Sequence, residues 1–255
     1  MAEHSNWTRE EHILAFNLYC QIPFGSINSR NPKIQQLASL LGRTPSSVAL
    51  KLANIARLDP VLKARGVGGM SHGAKGEEEI WKEFSERPEE LALESERLRA
   101  SLLGKTLEDV AGVEIDDLPK EGIERDSLVK IRVNQNFFRK RVLSLYGYQC
   151  CITGIKEQAL LTASHIVPWS VDVNNRLNPR NGLCLNALHD RAFDRHLMWV
   201  EDDLTVHFSS KISLGDSESA KWFLSFEGKK LLLPKIFSPD PTLLARHAKI
   251  ARSTK

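Results

Sequence analysis

Between residues 7 and 20 the apolar positions Trp7, Ile13, Leu14, Phe16, Leu18 and Tyr19 recur at helical spacing, and Thr8 and Glu11 stand three apart as a capping box requires. The pattern predicts a helix beginning near Trp7. A turn rich in Pro, Gly and Asn follows over residues 23–31, after which Ile34, Leu37, Ala38, Leu40 and Leu41 share one side and Gly42 supplies a stop. Thr44 then offers a cap, Pro45 takes the favoured first helical position, and Val48, Leu50, Leu52, Ala53 and Ile55 carry a third helix toward Leu58. Residues 66–76 hold five glycines and almost nothing apolar, which reads as a hinge with a domain boundary near residue 70. Over residues 77–103, Ile80, Trp81, Phe84, Leu91, Leu93, Leu98 and Leu102 lie among many charges and are interrupted at Pro88, so two helices are expected, the second long and exposed. Residues 104–130 are acidic and weakly patterned. Residues 133–146 place Phe137, Phe138, Val142, Leu143 and Tyr146 on one helical face and Arg139, Lys140 and Arg141 on another, which is expected to contact DNA phosphate, with a surface helix of solvated charges as the alternative. From Gly147 onward a hairpin and then a helix are expected. Residues 160–167 form a strand-like run that Pro168 stops, which leaves His165 near the strand end with its side chain free to face a cleft. Asn181 precedes the short apolar run Leu183-Cys184-Leu185, and His189, Asp190 and Asp194 lie on the following helical stretch, where the two carboxylates stand four apart on one face. A last helix is expected near residues 243–251. No internal repeat or low-complexity tract stands out.

The net charge of +3 conceals a change of sign along the chain: +4 over residues 1–66, −10 over 77–126 and +8 over 127–255. Basic blocks attract polyanions because neutralised phosphates release counterions, so both ends favour a nucleic acid, and solvated surface charge is the bland alternative. The acidic block repels DNA; it either faces away from it or covers the basic surface when DNA is absent. Two short helices joined at Gly42-Arg43-Thr44 resemble a helix-turn-helix, with Ser46, Ser47, Lys51 and Asn54 on the polar face expected to contact DNA; a small helical bundle without a ligand is the competing reading. With no run of 18 apolar residues and a polar start, neither a membrane span nor a secretory signal is expected, and a cytoplasmic protein is. Cys20, Cys150, Cys151 and Cys184 have no framework spacing, which suits a reducing compartment.

Three ordered blocks carry the chemistry: Ala163-Ser164-His165-Ile166-Val167-Pro168-Trp169, then Asn181-Gly182-Leu183-Cys184-Leu185, then His189-Asp190-Arg191-Ala192-Phe193-Asp194. In this order they resemble the HNH, or ββα-metal, nuclease family, in the branch whose signature reads approximately A-S-H-I-x-P-W, N-G-L-x-L, H-D-x-x-F-D. The likeness covers residues 147–200, with a weaker echo at 228–234 and at Leu243 to His247. The resemblance implies that His165 is a general base acting on water, that Asn181 orients the imidazole or the hairpin loop, and that a divalent ion on the following helix neutralises charge at phosphorus. Mg²⁺, or Mn²⁺ in its place, is the ion implied. Many relatives carry Asp or His just before the base as a ligand, whereas this chain has Ser164. By family spacing His189 and Asp190 compete for the first ligand position, and Asp194 is either a ligand or the partner of a nearby arginine. The two CxxC pairs that clamp relatives with zinc are missing, since Thr153 follows Cys150 and Ala187 follows Cys184 at the third position, so no structural zinc is expected.

The expected architecture is therefore α+β: a helix-turn-helix-like DNA-binding region over residues 1–66, a Gly-rich hinge and acidic helical connector over 67–130, and a ββα-metal nuclease domain over 131–255. The expected activity is metal-dependent hydrolysis of double-stranded DNA, of the restriction type found in bacteria and phages. A homodimer would match a palindromic site, since two strands need two cuts. The rival is a DNA-binding regulator whose nuclease fold is silent. An RNA-directed nuclease is disfavoured because no aromatic stacking platform is visible.

Overall fold

The computed structural model describes residues 6–64, 66, 75–112, 123–212, 217–234 and 237–253. Residues 67–74 of the expected hinge over 66–76, and part of the acidic connector, at 113–122, lie outside the described residues, while Lys75 and Gly76 at the hinge's end are already helical. The chain divides into two compact units, Met1–Phe137 and Phe138–Lys255.

In the first unit Thr8 caps α1 (Arg9–Gln21) with the reciprocal bonds of a capping box. Asn31 and Thr44 cap α2 (Pro32–Leu41) and α3 (Pro45–Ala56), and Gly42 takes the left-handed φ of 63° that ends α2. A short α4 (Pro60–Lys63) follows Asp59. Next come α5 (Lys75–Phe84) and α6 (Pro88–Leu103), separated at Pro88 as the pattern predicts. The second of these is not an exposed helix: it packs on α1 and buries Leu91, Ala92, Ser95, Glu96 and Ala100. Its apolar residues meet a core of Ile13, Leu14, Phe16, Ile34, Leu52, Ile80 and Phe84, to which α5 also contributes.

That packing overturns part of the expected DNA-reading face. Lys51 is buried, with its Nζ donating to Glu77 Oε1 at 2.6 Å, and Asn54 Nδ2 donates to the same oxygen at 3.3 Å. Glu77 is itself 1% exposed, and Arg57 lies 3.6 Å from its other oxygen. A buried lysine must keep a counter-charge, and α5 delivers one from the acidic block, so Lys51 and Asn54 face the interior of the unit rather than a ligand. Ser46 is exposed and Ser47 half-buried at the start of α3. The unit continues through α7 (Leu107–Ala111), and α8 (Ile123–Leu145) begins well before the expected residue 133, inside the weakly patterned segment.

The second unit is built on β1 (Leu161–His165) and β2 (Gly182–Asn186), an antiparallel pair in which His165 stands opposite Gly182. The helix α9 (Ala187–Asp194) follows directly and packs on both strands. A second antiparallel pair, β3 (Met198–Val200) and β4 (Val206–Phe208), leads to α10 (Glu218–Leu224) and α11 (Pro241–Ser253), the last lying on β3. Among the described residues the architecture is mixed, with helices predominating and two small sheets. Among the described residues no helix is long and apolar enough to cross a membrane.

Candidate active site

His165 ends β1, and its opposite number, Gly182, has no side chain. That gap admits α8: a Cβ on Gly182 would stand 2.6 Å from Val142 Cγ2 and 2.9 Å from Phe138 Cζ. Phe138 thereby reaches the His165 ring and stacks on it, with centroids 3.7 Å apart and planes 10° from parallel. Trp169 meets the same ring edge-on at 5.7 Å. His165 Nε2 lies 3.0 Å from the carbonyl oxygen of Arg176. A carbonyl only accepts, so Nε2 carries the hydrogen and Nδ1 is left as the basic nitrogen. Burial pushes the His165 pKa below the ordinary imidazole value, against the opposing pull of the Arg176 carbonyl and the Asp194 charge.

Asn181 is fully buried and spends its amide on the loop between the two strands. Its Oδ1 accepts from Val167 N at 2.8 Å, and its Nδ2 donates to Val167 O at 3.0 Å and Asn175 O at 3.1 Å. Of the two arrangements expected for it, the hydrogen bonds favour the loop over direct contact with the imidazole. The loop in turn delivers the Arg176 carbonyl to His165, and Arg176 Nε is tied back to Trp169 O at 2.9 Å.

On α9 the predicted residues separate. His189 is fully buried, and Asn186 Nδ2 donates to its Nδ1 at 3.0 Å. Its ring lies among Trp222, Phe223, Phe226 and Phe208, at 4.9 to 6.1 Å between centroids. Burial lowers its pKa to about 4. The expectation that His189 faces a metal ion does not hold: its only nitrogen lone pair is used by Asn186, and its other nitrogen ends in an aromatic enclosure without a partner.

Asp190 and Asp194, one helical turn apart, lie instead on the His165 side. Burial raises the Asp190 pKa; the Ser164 hydroxyl, Arg139 and Arg191 pull it down while Asp194 pushes it up. Asp194 is exposed at the surface, yet the protein around it desolvates its carboxyl enough to raise its pKa, opposed by Arg191, His165, His196 and Arg195. The Ser164 hydroxyl is buried and makes no hydrogen bond of full geometry, although it stands close enough to draw on the Asp190 carboxyl. Two neighbouring carboxylates held above their ordinary pKa, with an unsatisfied hydroxyl beside them, fit a hard divalent cation. Among the described residues no three His, Cys, Asp or Glu side chains converge as a complete cage. A divalent ion held by two carboxylates would take the rest of its shell from water and phosphate.

Arg139 is not a free member of a cationic face. Its Nη2 donates to Leu161 O at 2.7 Å, and its charge acts on Asp190 and on Cys184, which places it beside the carboxylates. Lys140 and Arg141 are half-buried on the same helix. Cys150, Cys151 and Cys184 are buried free thiols. Cys150 Sγ accepts from Thr153 N and Asn186 N, and burial pushes the Cys184 thiol up to about 12. Sequence reasoning missed Phe138, Trp169 and Arg176 as supports of the base. Phe138 showed only as one apolar position of a helix, and nothing in the pattern marked the Arg176 carbonyl.

A strand ending in a histidine, a pinned loop, a return strand and a helix with two carboxylates follow one another in ββα order. Residues 150–201 match the family model described as HNH endonuclease. No curated protein matches the chain.

Proposed function

We propose that the protein is a divalent-metal-dependent endonuclease acting on double-stranded DNA, with His165 as general base, Asn181 as the residue that pins its loop, and Asp190 and Asp194 as metal ligands. The observation that carries this reading is the state of His165: its Nε2 is committed to the Arg176 carbonyl, so a basic Nδ1 remains on a ring that the Asp194 charge reaches. His165 Nδ1 takes the proton from the attacking water, while Phe138 and Trp169 hold the ring in plane. Arg139, beside Asp190, balances the carboxylate charge on the protein side. A bound Mg²⁺ or Mn²⁺ would neutralise charge developing on the phosphate and the leaving oxygen.

The biological role we favour is restriction or defence, in which a DNA-reading part is joined to a cutter, with the three regions 1–66, 67–130 and 131–255 as the functional division. Ser46 and Ser47, at the start of α3, and Lys140 and Arg141, on α8, are the remaining candidates for phosphate contact. A homodimer would place two such sites on the two strands of a palindrome.

One observation favours a second reading, a DNA-binding regulator with a silent nuclease fold: Ser164 stands where relatives have a ligand, and the acidic set has two members. Incubating the full-length protein with supercoiled plasmid and Mg²⁺ separates the two. Nicking that EDTA abolishes supports the enzyme; binding without nicking at any Mg²⁺ or Mn²⁺ concentration overturns it.

A further inference from the structure

The turn that closes α9 carries a feature which the base and its loop do not explain. His196 N donates to Phe193 O at 2.9 Å and Leu197 N to Ala192 O at 2.9 Å, the closing bonds of a helix whose cap, Arg195, is followed by a left-handed residue. His196 is that residue, with φ at 55°, a conformation that glycine takes without strain. What the histidine adds is a contact. Its Nδ1 lies 3.2 Å from Nε2 of His247 on α11. The same His247 Nε2 lies 3.1 Å from Phe193 O, and the His247 ring stacks on Phe193 with centroids 3.7 Å apart and planes 7° from parallel. Phe193 O can only accept, so His247 Nε2 carries the hydrogen, and His196 Nδ1 receives a share of it as a second acceptor. Phe193 and His247 are 0% and 4% exposed, so their side of the junction is shielded from water, while His196 is half-buried.

Asp194 sits in the chain between these two anchored positions. It is the last residue of an eight-residue helix, where backbone hydrogen bonds alone leave a turn free to fray. Strain kept at a single residue beside a candidate site points to a role for its side chain.

We propose that His196, held by His247, is a positioning residue for Asp194: the pair fastens the last turn of α9 to α11 and so fixes the direction of the Asp194 carboxyl toward the divalent cation. The proposal rests on the reading of Asp194 as a metal ligand.

The test uses the full-length chain in a His165→Ala background with a short DNA duplex bound, so that phosphate is present and no cleavage follows. Mn²⁺ binding is titrated by electron paramagnetic resonance, and the unfolding temperature is measured alongside. His196→Gly relieves the left-handed backbone, so the unfolding temperature holds or rises, while Mn²⁺ affinity falls about ten-fold, the lower end of the effect of removing a residue that supports a metal ligand. His196→Asn tolerates the left-handed backbone and keeps a side-chain acceptor for His247, so it recovers most of that affinity. With His165 intact, the Mg²⁺ concentration for half-maximal nicking rises in step in His196→Gly. Wild-type Mn²⁺ affinity in His196→Gly, together with lost affinity in Asp194→Asn, overturns the positioning role alone. Unchanged affinity in Asp194→Asn overturns the metal reading of Asp194 and this proposal with it.

Discussion

The neighbours of His165 set the state of its ring for the role proposed for it. The Arg176 carbonyl selects its tautomer and Phe138 fixes its plane, and burial lowers its pKa. The neutral ring is the active form, so cleavage at saturating Mg²⁺ should rise with pH through an acid limb below the ordinary histidine value of about 6.5 and be flat above it. A limb centred above that value in single-turnover assays would contradict the assignment. His165→Ala should lower the cleavage rate by at least about 100-fold while leaving duplex affinity within about two-fold, as checked by nicking and by gel-shift titration. Two other histidines, both buried, set the pH dependence of stability. Burial depresses His189 and His247 to about 4 in the folded state, whereas in the unfolded chain they bind protons near pH 6.5. The unfolded state therefore holds more protons between those values, so stability is complete above pH 6.5 and falls as pH drops toward 4. Between pH 6.5 and 5 the loss should be on the order of 2 kcal/mol per histidine, read from denaturant unfolding. His247→Phe, which can keep the stack on Phe193, should flatten that slope.

At the scale of elements, the site depends on α8 lying close under the β1–β2 pair. Gly182→Ala drives a methyl into Val142 and Phe138, and should cost about 1–3 kcal/mol in unfolding free energy and displace the His165 ring. An unchanged unfolding free energy would mean that α8 does not pack as described. In the other unit, Glu77→Gln removes the charge that balances buried Lys51 and should destabilise the fold by about 3 kcal/mol, with Lys51→Met restoring part of it in the double variant. Much of this was legible in sequence. The capping box at Thr8, the Pro and Gly boundaries of α2 and α3, and the break at Pro88 are local signals, and local hydrogen bonds decide them. The strand that ends at His165, the return strand after Asn181 and the helix that ends at Asp194 were legible because their order survives without knowledge of packing. What was hidden depends on distant partners. The strands β3 and β4 have three residues each, too few for alternation to register, and α10 is a helix of seven residues. Lys51 looks solvent-facing until α5 brings Glu77 to it. His189 looks like a ligand by spacing, but the aromatic residues of α10 and β4 that enclose it follow much later in the chain.

For the whole molecule, the alternation of basic, acidic and basic segments bears on how it meets a polyanion. Binding driven by phosphate contacts should weaken steeply with salt, since each phosphate neutralised contributes about −0.9 to the slope of log affinity against log salt. A slope near zero would remove nucleic acid as the partner. The acidic block does not act simply as loose repulsive charge, because Glu77, Glu78 and Glu108 are engaged by Lys51, Arg57 and Arg125 within the first unit. The central claim is hydrolysis of DNA at a single histidine with a divalent metal. It is tested most directly by comparing the full-length protein and His165→Ala on supercoiled plasmid with Mg²⁺ and with EDTA. The account predicts nicked or linear plasmid only for the unaltered chain with Mg²⁺; equal cleavage by His165→Ala, or cleavage that persists in EDTA, would contradict it.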